Sequence, residues 1–197
     1  MIRGIIFDLD GTLVDSRLDF DAMRLAMGLP AGTPILEALS HLDPDRAGAC
    51  RVILDEHELA GASRATLLPG VAPLVMALKK ANIRQAIATR NSRSITQHTL
   101  ENLALQVDFA FTRDDGPVKP DPWAARKACR RWELPPSEVV LIGDYRFDIE
   151  CGRTAGCHTV LLTDLADPAT YANTERADLL LRSLADYERL LAWLKTL

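Results

Sequence analysis

A short apolar run over residues 2–7 breaks off directly into Asp8-Leu9-Asp10-Gly11-Thr12. A few apolar residues stopped by turn formers suit a strand buried inside a parallel sheet. Two carboxylates two positions apart at the end of such a strand repel each other. They require a cation, a shared proton or both. Gly11 lets the backbone turn tightly, as a loop approaching a ligand must. A solvent-exposed Asx turn is the other reading of these residues, and the apolar strand before them argues against it.

The next 54 or so residues have no convincing strand. Helices are predicted near residues 19–27, 34–41 and 44–60, punctuated by Gly28-Leu29-Pro30, Asp43-Pro44 and Gly61. From Pro69-Gly70 onward a regular alternation begins. Val71, Leu74, Val75 and Leu78 have the spacing of a one-sided helix. Strands are predicted over 83–88, 107–111, 138–142, 158–162 and 178–181, with helices following from Asn91 or Ser92, from Asp121-Pro122, from near Tyr145 and over 183–194. Strands alternating with helices imply parallel strands joined by crossovers. The expected fold is α/β: a Rossmann-like parallel sheet with helices on both faces and a small all-helical cap inserted after the first strand. The expected division is 1–14 and 69–197 for the core and 15–68 for the cap. Such an insert leaves from the carboxyl end of the first strand, where open α/β sheets bind ligands.

Three further elements follow strands or open helices. Thr89-Arg90-Asn91 offers a hydroxyl and free N–H groups just before a helix, an anion site or simply a cap. Lys119-Pro120-Asp121-Pro122 presents a lysine from a stiff segment ahead of a helix; alone, it reads equally as a surface lysine. Asp144 ends the strand 138–142, and Asp148 is expected one turn later on the same helix face. That pair suits a hard cation, or else an N-cap and a solvated partner. Together the four loops carry the parts of one phosphoryl-transfer site. Magnesium favours few carboxylates with waters and a phosphate oxygen, and Asp8 and Asp144 supply that pattern. Lys119 and Thr89 can balance charge on the phosphoryl oxygens.

With its Asp8-Leu9-Asp10-Gly11-Thr12-Leu13-Val14-Asp15-Ser16 run, and with Thr89, Lys119 and Gly143-Asp144-x-x-x-Asp148 following in order, the chain resembles the haloacid dehalogenase-like hydrolase superfamily. Within it, the likeness is to the helical-cap, phosphoglycolate phosphatase-like subclass. The resemblance implies a Mg2+-dependent phosphatase acting on a small phosphorylated metabolite such as 2-phosphoglycolate or a sugar phosphate. It implies Asp8 as nucleophile, Asp10 as acid and base, and Lys119 and Thr89 on the phosphoryl group, with Arg90 and Asn91 beside them. It implies Mg2+ held by Asp8, Asp10 through its carbonyl, and Asp144, with Asp148 in or near that shell. Arg90 stands where the family more often has a small or amide residue; it is either a substrate contact or the partner of a cap acid. A sugar phosphomutase resembling β-phosphoglucomutase would use the same nucleophile and is the alternative.

Asp10 disfavours a dehalogenase, which has no need of a second aspartate there. The absence of lysine from 15–68 disfavours a Schiff-base phosphonate hydrolase. Arginines 17, 24, 46, 51 and 64 are candidates to reach a substrate anion, though each also reads as a solvated surface residue. A formal net charge of -4 argues against a nucleic-acid partner. No stretch is long and apolar enough to suggest a membrane span. Four scattered cysteines without C-x-x-C or zinc spacing fit a reducing compartment, so a cytoplasmic protein, monomer or homodimer, is expected.

Overall fold

The computed structural model describes residues 1–163 and 177–197. Six parallel strands form one sheet in the order β5-β4-β1-β6-β7-β8. They are β1 (Gly4–Phe7), β4 (Arg84–Ala88), β5 (Phe109–Phe111), β6 (Val139–Gly143), β7 (His158–Leu162) and β8 (Leu179–Leu181). The chain moves outward from β1 through β4 to β5, then returns to β6 on the other side of β1. The carboxyl ends of β1, β4 and β6 therefore meet where the strand order reverses, the place at which open α/β sheets leave a crevice.

Strand alternation splits the core in two, because successive side chains point to opposite faces. Ile5 and Phe7 join α4 (Val71–Lys80) and α8 (Tyr187–Leu194) through Leu74, Leu78, Leu190 and Leu194 on one face. Ile6 joins α6 (Trp123–Trp132) and α7 (Arg146–Ala155) through Ala125, Ala128, Trp132 and Cys151 on the other. The expected sheet with helices on both faces is the fold observed. The helix α5 (Arg93–Asn102) follows β4, with Ser92 as its N-cap.

Between β2 (Val14–Asp15) and β3 (Thr66–Leu67) the chain builds α1 (Phe20–Met27), α2 (Ile35–Ser40) and α3 (Pro44–Arg64). These helices pack around a cluster of their own, in which Met23, Met27, Ile35, Leu39, Cys50 and Leu54 are buried. Each entry is locally determined: Asp19 accepts from the Ala22 N–H and Asp43 from the Arg46 N–H, both N-caps.

Four local expectations change. β2 and β3 pair as an antiparallel two-stranded ribbon at the root of the insert, and two residues per strand leave no periodicity to read. α3 does not stop at Gly61 but runs to Arg64. Gly61 is there for close packing: a Cβ would lie 2.7 Å from Leu18 and 3.1 Å from the Ser16 carbonyl. Pro122 takes the N-cap position of α6 rather than its first turn, while Asp121 accepts from the Trp123 N–H at 2.8 Å. The final helix starts at Tyr187, after a 3-10 turn over Leu184–Asp186.

Candidate active site

Asp8 follows the last residue of β1, anchored by its N–H to the Ile142 carbonyl of β6 at 2.8 Å. Lys119 reaches it from the segment before α6: Nζ donates to Asp8 Oδ1 and to Asp148 Oδ1, each at 2.6 Å. The lysine side chain is only 4% exposed. Burial alone would pull its pKa down, but the carboxylates of Asp148 and Asp8 outweigh that and raise it above the ordinary lysine value. Asp148 sits in the first turn of α7 and accepts the Tyr145 N–H with its second oxygen at 3.1 Å. Both its oxygens are therefore engaged. The spacing predicts a helix face shared by Asp144 and Asp148, but Asp144 precedes the Tyr145 N-cap and lies outside the helix; the loop brings the two carboxylates together instead.

Ligand oxygens of Asp8, Asp144 and Asp148 all lie within 4.8 Å of one another. Three carboxylates face one ammonium, leaving an excess of negative charge in a largely buried space. The strain is visible in their proton affinities. Burial, then the charges of Asp8 and Asp148, push Asp144 up to about 8. Burial also raises Asp148, to about 6, against the opposing pull of Lys119. Hard oxygen donors with uncompensated charge suit a small divalent cation, so these residues fit magnesium. Gly11 allows the crowding: with φ at 78°, it leaves space where a Cβ would lie 2.1 Å from Asp144 Oδ2.

Asp10 stands across the loop. Asn91 Nδ2 donates to its Oδ2 at 2.6 Å. Burial raises the Asp10 pKa and Asp8 adds to it, while hydrogen bonds from Ser16 and Asn91 work the other way; the net shift is upward. Thr89 Oγ1 accepts the Asn91 N–H at 3.1 Å, so the hydroxyl proton is free to point elsewhere. Arg90 turns away from the loop: Nη2 donates to both oxygens of Glu37, at 2.9 and 2.7 Å, and Nη1 donates to the Lys119 carbonyl. Its guanidinium also lies 5.0 Å from the Phe147 ring centroid. Of the two readings left open for Arg90, pairing with an acid of the insert is the one observed.

A cavity of about 380 Å3 opens between the sheet and the insert. Asp10, Asn91 and Asp144 line one side of it, and residues of α1, α2 and α3 the other. Sequence reasoning missed the second clasp across it. Arg113 Nη1 donates to both Glu58 oxygens, at 2.7 and 2.9 Å, and Nη2 to Asp55 at 2.7 Å. Burial pushes Glu58 up to about 7 despite that pairing. Nothing local marks Glu58 or Arg113, since the partners are 55 residues apart. Of the insert arginines, Arg24 lines the cavity but pairs with Asp21, and Arg17 pairs with Asp15. Among the described residues no helix is long and apolar enough to cross a membrane.

A family model described as haloacid dehalogenase-like hydrolase matches residues 17–162, which hold Thr89, Lys119, Asp144 and Asp148. A haloacid dehalogenase-like hydrolase domain-containing protein of Arabidopsis thaliana is 30% identical over 83% of this chain and 71% of its own length. A phosphoglycolate phosphatase of Photobacterium profundum is 33% identical over 82% of this chain and 83% of its own. In fold, the chain is similar to a haloacid dehalogenase-like hydrolase from Bacteroides fragilis. The TM-score is 0.78 at 23% identity, over 95% of this chain and all of the other.

Proposed function

Since the chain belongs to the haloacid dehalogenase-like hydrolases, we propose that it is a magnesium-dependent phosphatase that hydrolyses a small phosphate monoester through an aspartyl-phosphate on Asp8. The observation that carries this is the approach of Lys119 Nζ to Asp8 at 2.6 Å inside the carboxylate cluster of Asp144 and Asp148. An ammonium clamped beside a strand-end aspartate orients that carboxylate and offsets part of the negative charge an incoming phosphoryl group would meet. The names of relatives agree in kind: one is a phosphoglycolate phosphatase and another an N-acetylmuramic acid 6-phosphate phosphatase.

The chain's own residues divide the work. Lys119 holds Asp8 Oδ1, and the other oxygen, Oδ2, is assigned as nucleophile. As its bond to phosphorus forms, the ester P–O bond breaks, and Asp10 gives its proton to the leaving alkoxide oxygen. A raised pKa suits Asp10 to carry that proton. Water then attacks phosphorus and returns a proton to Asp10, while the bond to Asp8 breaks and phosphate leaves. An aspartate nucleophile splits one hard displacement into two easier ones. Thr89 donates a hydrogen bond from its hydroxyl to a phosphoryl oxygen. Asn91 aligns Asp10 rather than touching phosphate. Asp148 positions Lys119 and stands at the edge of the metal set. Magnesium, held by Asp8, Asp144 and the Asp10 carbonyl, would neutralise charge on the phosphoryl oxygens. We read the helical insert of residues 15–68 as a cap that shields this site.

Borohydride reduction during turnover tests the covalent route. It should convert Asp8 to homoserine, visible as a peptide mass change, and both this and phosphate release should require magnesium. Undiminished turnover in excess EDTA, or in Asp8→Asn, would contradict the reading.

A further inference from the structure

Two thiols that the proposed mechanism does not use face each other behind the site. Cys129 lies on α6, and Cys157 directly follows Gly156, the C-cap of α7. Their sulfurs are 3.9 Å apart, although the residues are 28 apart in sequence. Both are buried. Among the described residues no other two thiols share a hydrogen bond.

That contact makes the two sulfurs unequal. Cys157 has its pKa pushed up, first by the hydrogen bond to Cys129 and then by burial. The same bond, aided by the charge of Arg130, outweighs burial at Cys129 and lowers it below the ordinary thiol value. Cys129 is therefore the sulfur that ionises and attacks, and Cys157 the one that resolves. Burial also selects the oxidant. It hinders a bulky disulfide reagent and favours hydrogen peroxide, which is scarcely larger than water.

The pair lies on the two helices that seat Lys119. α6 begins at Trp123, shortly after the lysine, and Asp148 is in the first turn of α7. Lys119 Nζ donates to Asp148 at 2.6 Å, so the packing of α6 beside α7 positions the ammonium. Ala125, Ala128, Cys151 and Ala155 of these helices share one buried cluster with both thiols. Such interiors are close-packed and transmit strain. Drawing the sulfurs from contact to a covalent bond closes the gap by about 2 Å and shifts one helix against the other. A misplacement of ~1 Å can cost ~10² in rate.

We propose that Cys129 and Cys157 form a thiol–disulfide switch: hydrogen peroxide joins them covalently, and the bond slows the enzyme by disturbing the seat of Lys119. The Cys129 thiolate attacks one peroxide oxygen, the O–O bond breaks, and the other oxygen leaves as water. The Cys157 sulfur then attacks the sulfenic acid on Cys129, the S–O bond breaks, and a second water leaves with the Cys157 proton. Two thiols lose one electron each and one peroxide gains two. A thiol reductant reverses the bond. The effect on rate rests on the phosphatase reading; the bond itself does not.

The test treats the reduced protein with hydrogen peroxide, alkylates the remaining thiols and maps the peptides. One cross-linked pair holding Cys129 and Cys157 should appear, lighter by two hydrogens, with Cys50 and Cys151 alkylated. Magnesium-supported phosphate release from p-nitrophenyl phosphate should fall at least about fivefold and return with dithiothreitol. Cys157→Ala should start at the wild-type rate and keep it in peroxide. If that variant does not fold, recovery of the wild-type protein in dithiothreitol decides the question. Met76, 54% exposed, reports the oxidant dose. Oxidation of Met76 without the linkage overturns the inference, as does a linkage that leaves the rate unchanged. A loss that dithiothreitol does not reverse, or that Cys157→Ala shares, overturns it too. Normal phosphate release without the linkage spares the phosphatase reading, whereas no release from the reduced protein removes that reading and the switch together.

Discussion

Asn91 Nδ2 donates a 2.6 Å hydrogen bond to Asp10 Oδ2. The amide stabilises the ionised carboxylate and so opposes the upward shift that burial and Asp8 impose. Asn91→Ala removes that opposition. The Asp10 pKa rises further, and the limb of the pH–rate profile on which the acid must be protonated moves to higher pH. The loss of alignment should also lower kcat by about tenfold, less than the ~10²–10⁴ attributed to a whole general acid–base group. A profile of kcat/KM against pH for both proteins checks this; superimposable profiles would remove Asn91 from any part in proton transfer.

Without a divalent cation the acidic cluster should make stability fall as pH rises. Asp144 and Asp148 hold protons in the folded chain up to about 8 and about 6, against an ordinary value of 3.8. Between those limits the folded state binds more protons than the unfolded one, so each pH unit costs up to roughly 1.4 kcal/mol per group. Melting temperatures in EDTA should decline from pH 5 to pH 8. Asp144→Asn should flatten the decline, and magnesium should restore the wild-type protein at pH 8 by binding the folded state. A melting temperature independent of pH in EDTA would count against a strained cluster.

What was legible in the sequence follows from what each signal depends on. The strands β1 and β6 are buried on both faces and stop at aspartates, so a plain apolar run ending in a turn gave them away. β5 was harder: only Phe109–Phe111 pair with β4, although residues 107–111 carry the pattern. Asp108 there instead accepts the Gln85 N–H through its side chain. Asp8, Asp10, Thr89, Arg90, Asn91 and Asp144 follow β1, β4 and β6, and parallel strands share a carboxyl edge; Lys119, ahead of α6, and Asp148, in the first turn of α7, are joined to that edge by the lysine's hydrogen bonds to Asp8 and Asp148. What was hidden was their bonding. That Asn91 would serve Asp10, and that Arg90 would choose Glu37 over a ligand, depends on partners 81 and 53 residues away. No local pattern encodes such pairs.

Lys119→Met should separate the two duties of this lysine. Removing a donor preorganised at the reacting group costs about 10²–10³ in kcat. The same change leaves the buried Asp8 and Asp148 carboxylates without their counter-charge, a loss of about 3–5 kcal/mol when one partner of a buried pair is deleted. Urea unfolding at neutral pH in EDTA should show that loss, and acidification should reduce it as the carboxyls take up protons. Stability equal to wild type, with activity lost, would assign Lys119 to catalysis alone.

The two clasps between sheet and insert look alike on paper but differ in burial, and burial should decide what each contributes. Glu37 and Arg90 are 41% and 24% exposed, so Glu37→Ala should cost less than about 1 kcal/mol. Glu58 and Arg113 are 6% and 16% exposed. Arg113→Met strands a buried carboxylate and should cost about 3 kcal/mol or more at pH 8. Because burial already holds Glu58 up to about 7 with Arg113 in place, removing the arginine raises it further. Glu58 is then neutral at pH 6, and the Arg113→Met penalty should shrink there while that of Glu37→Ala stays small at both values. Urea titrations of the two variants at pH 6 and pH 8 give the comparison. Equal, pH-independent penalties would mean that the inner pair is as well solvated as the outer one.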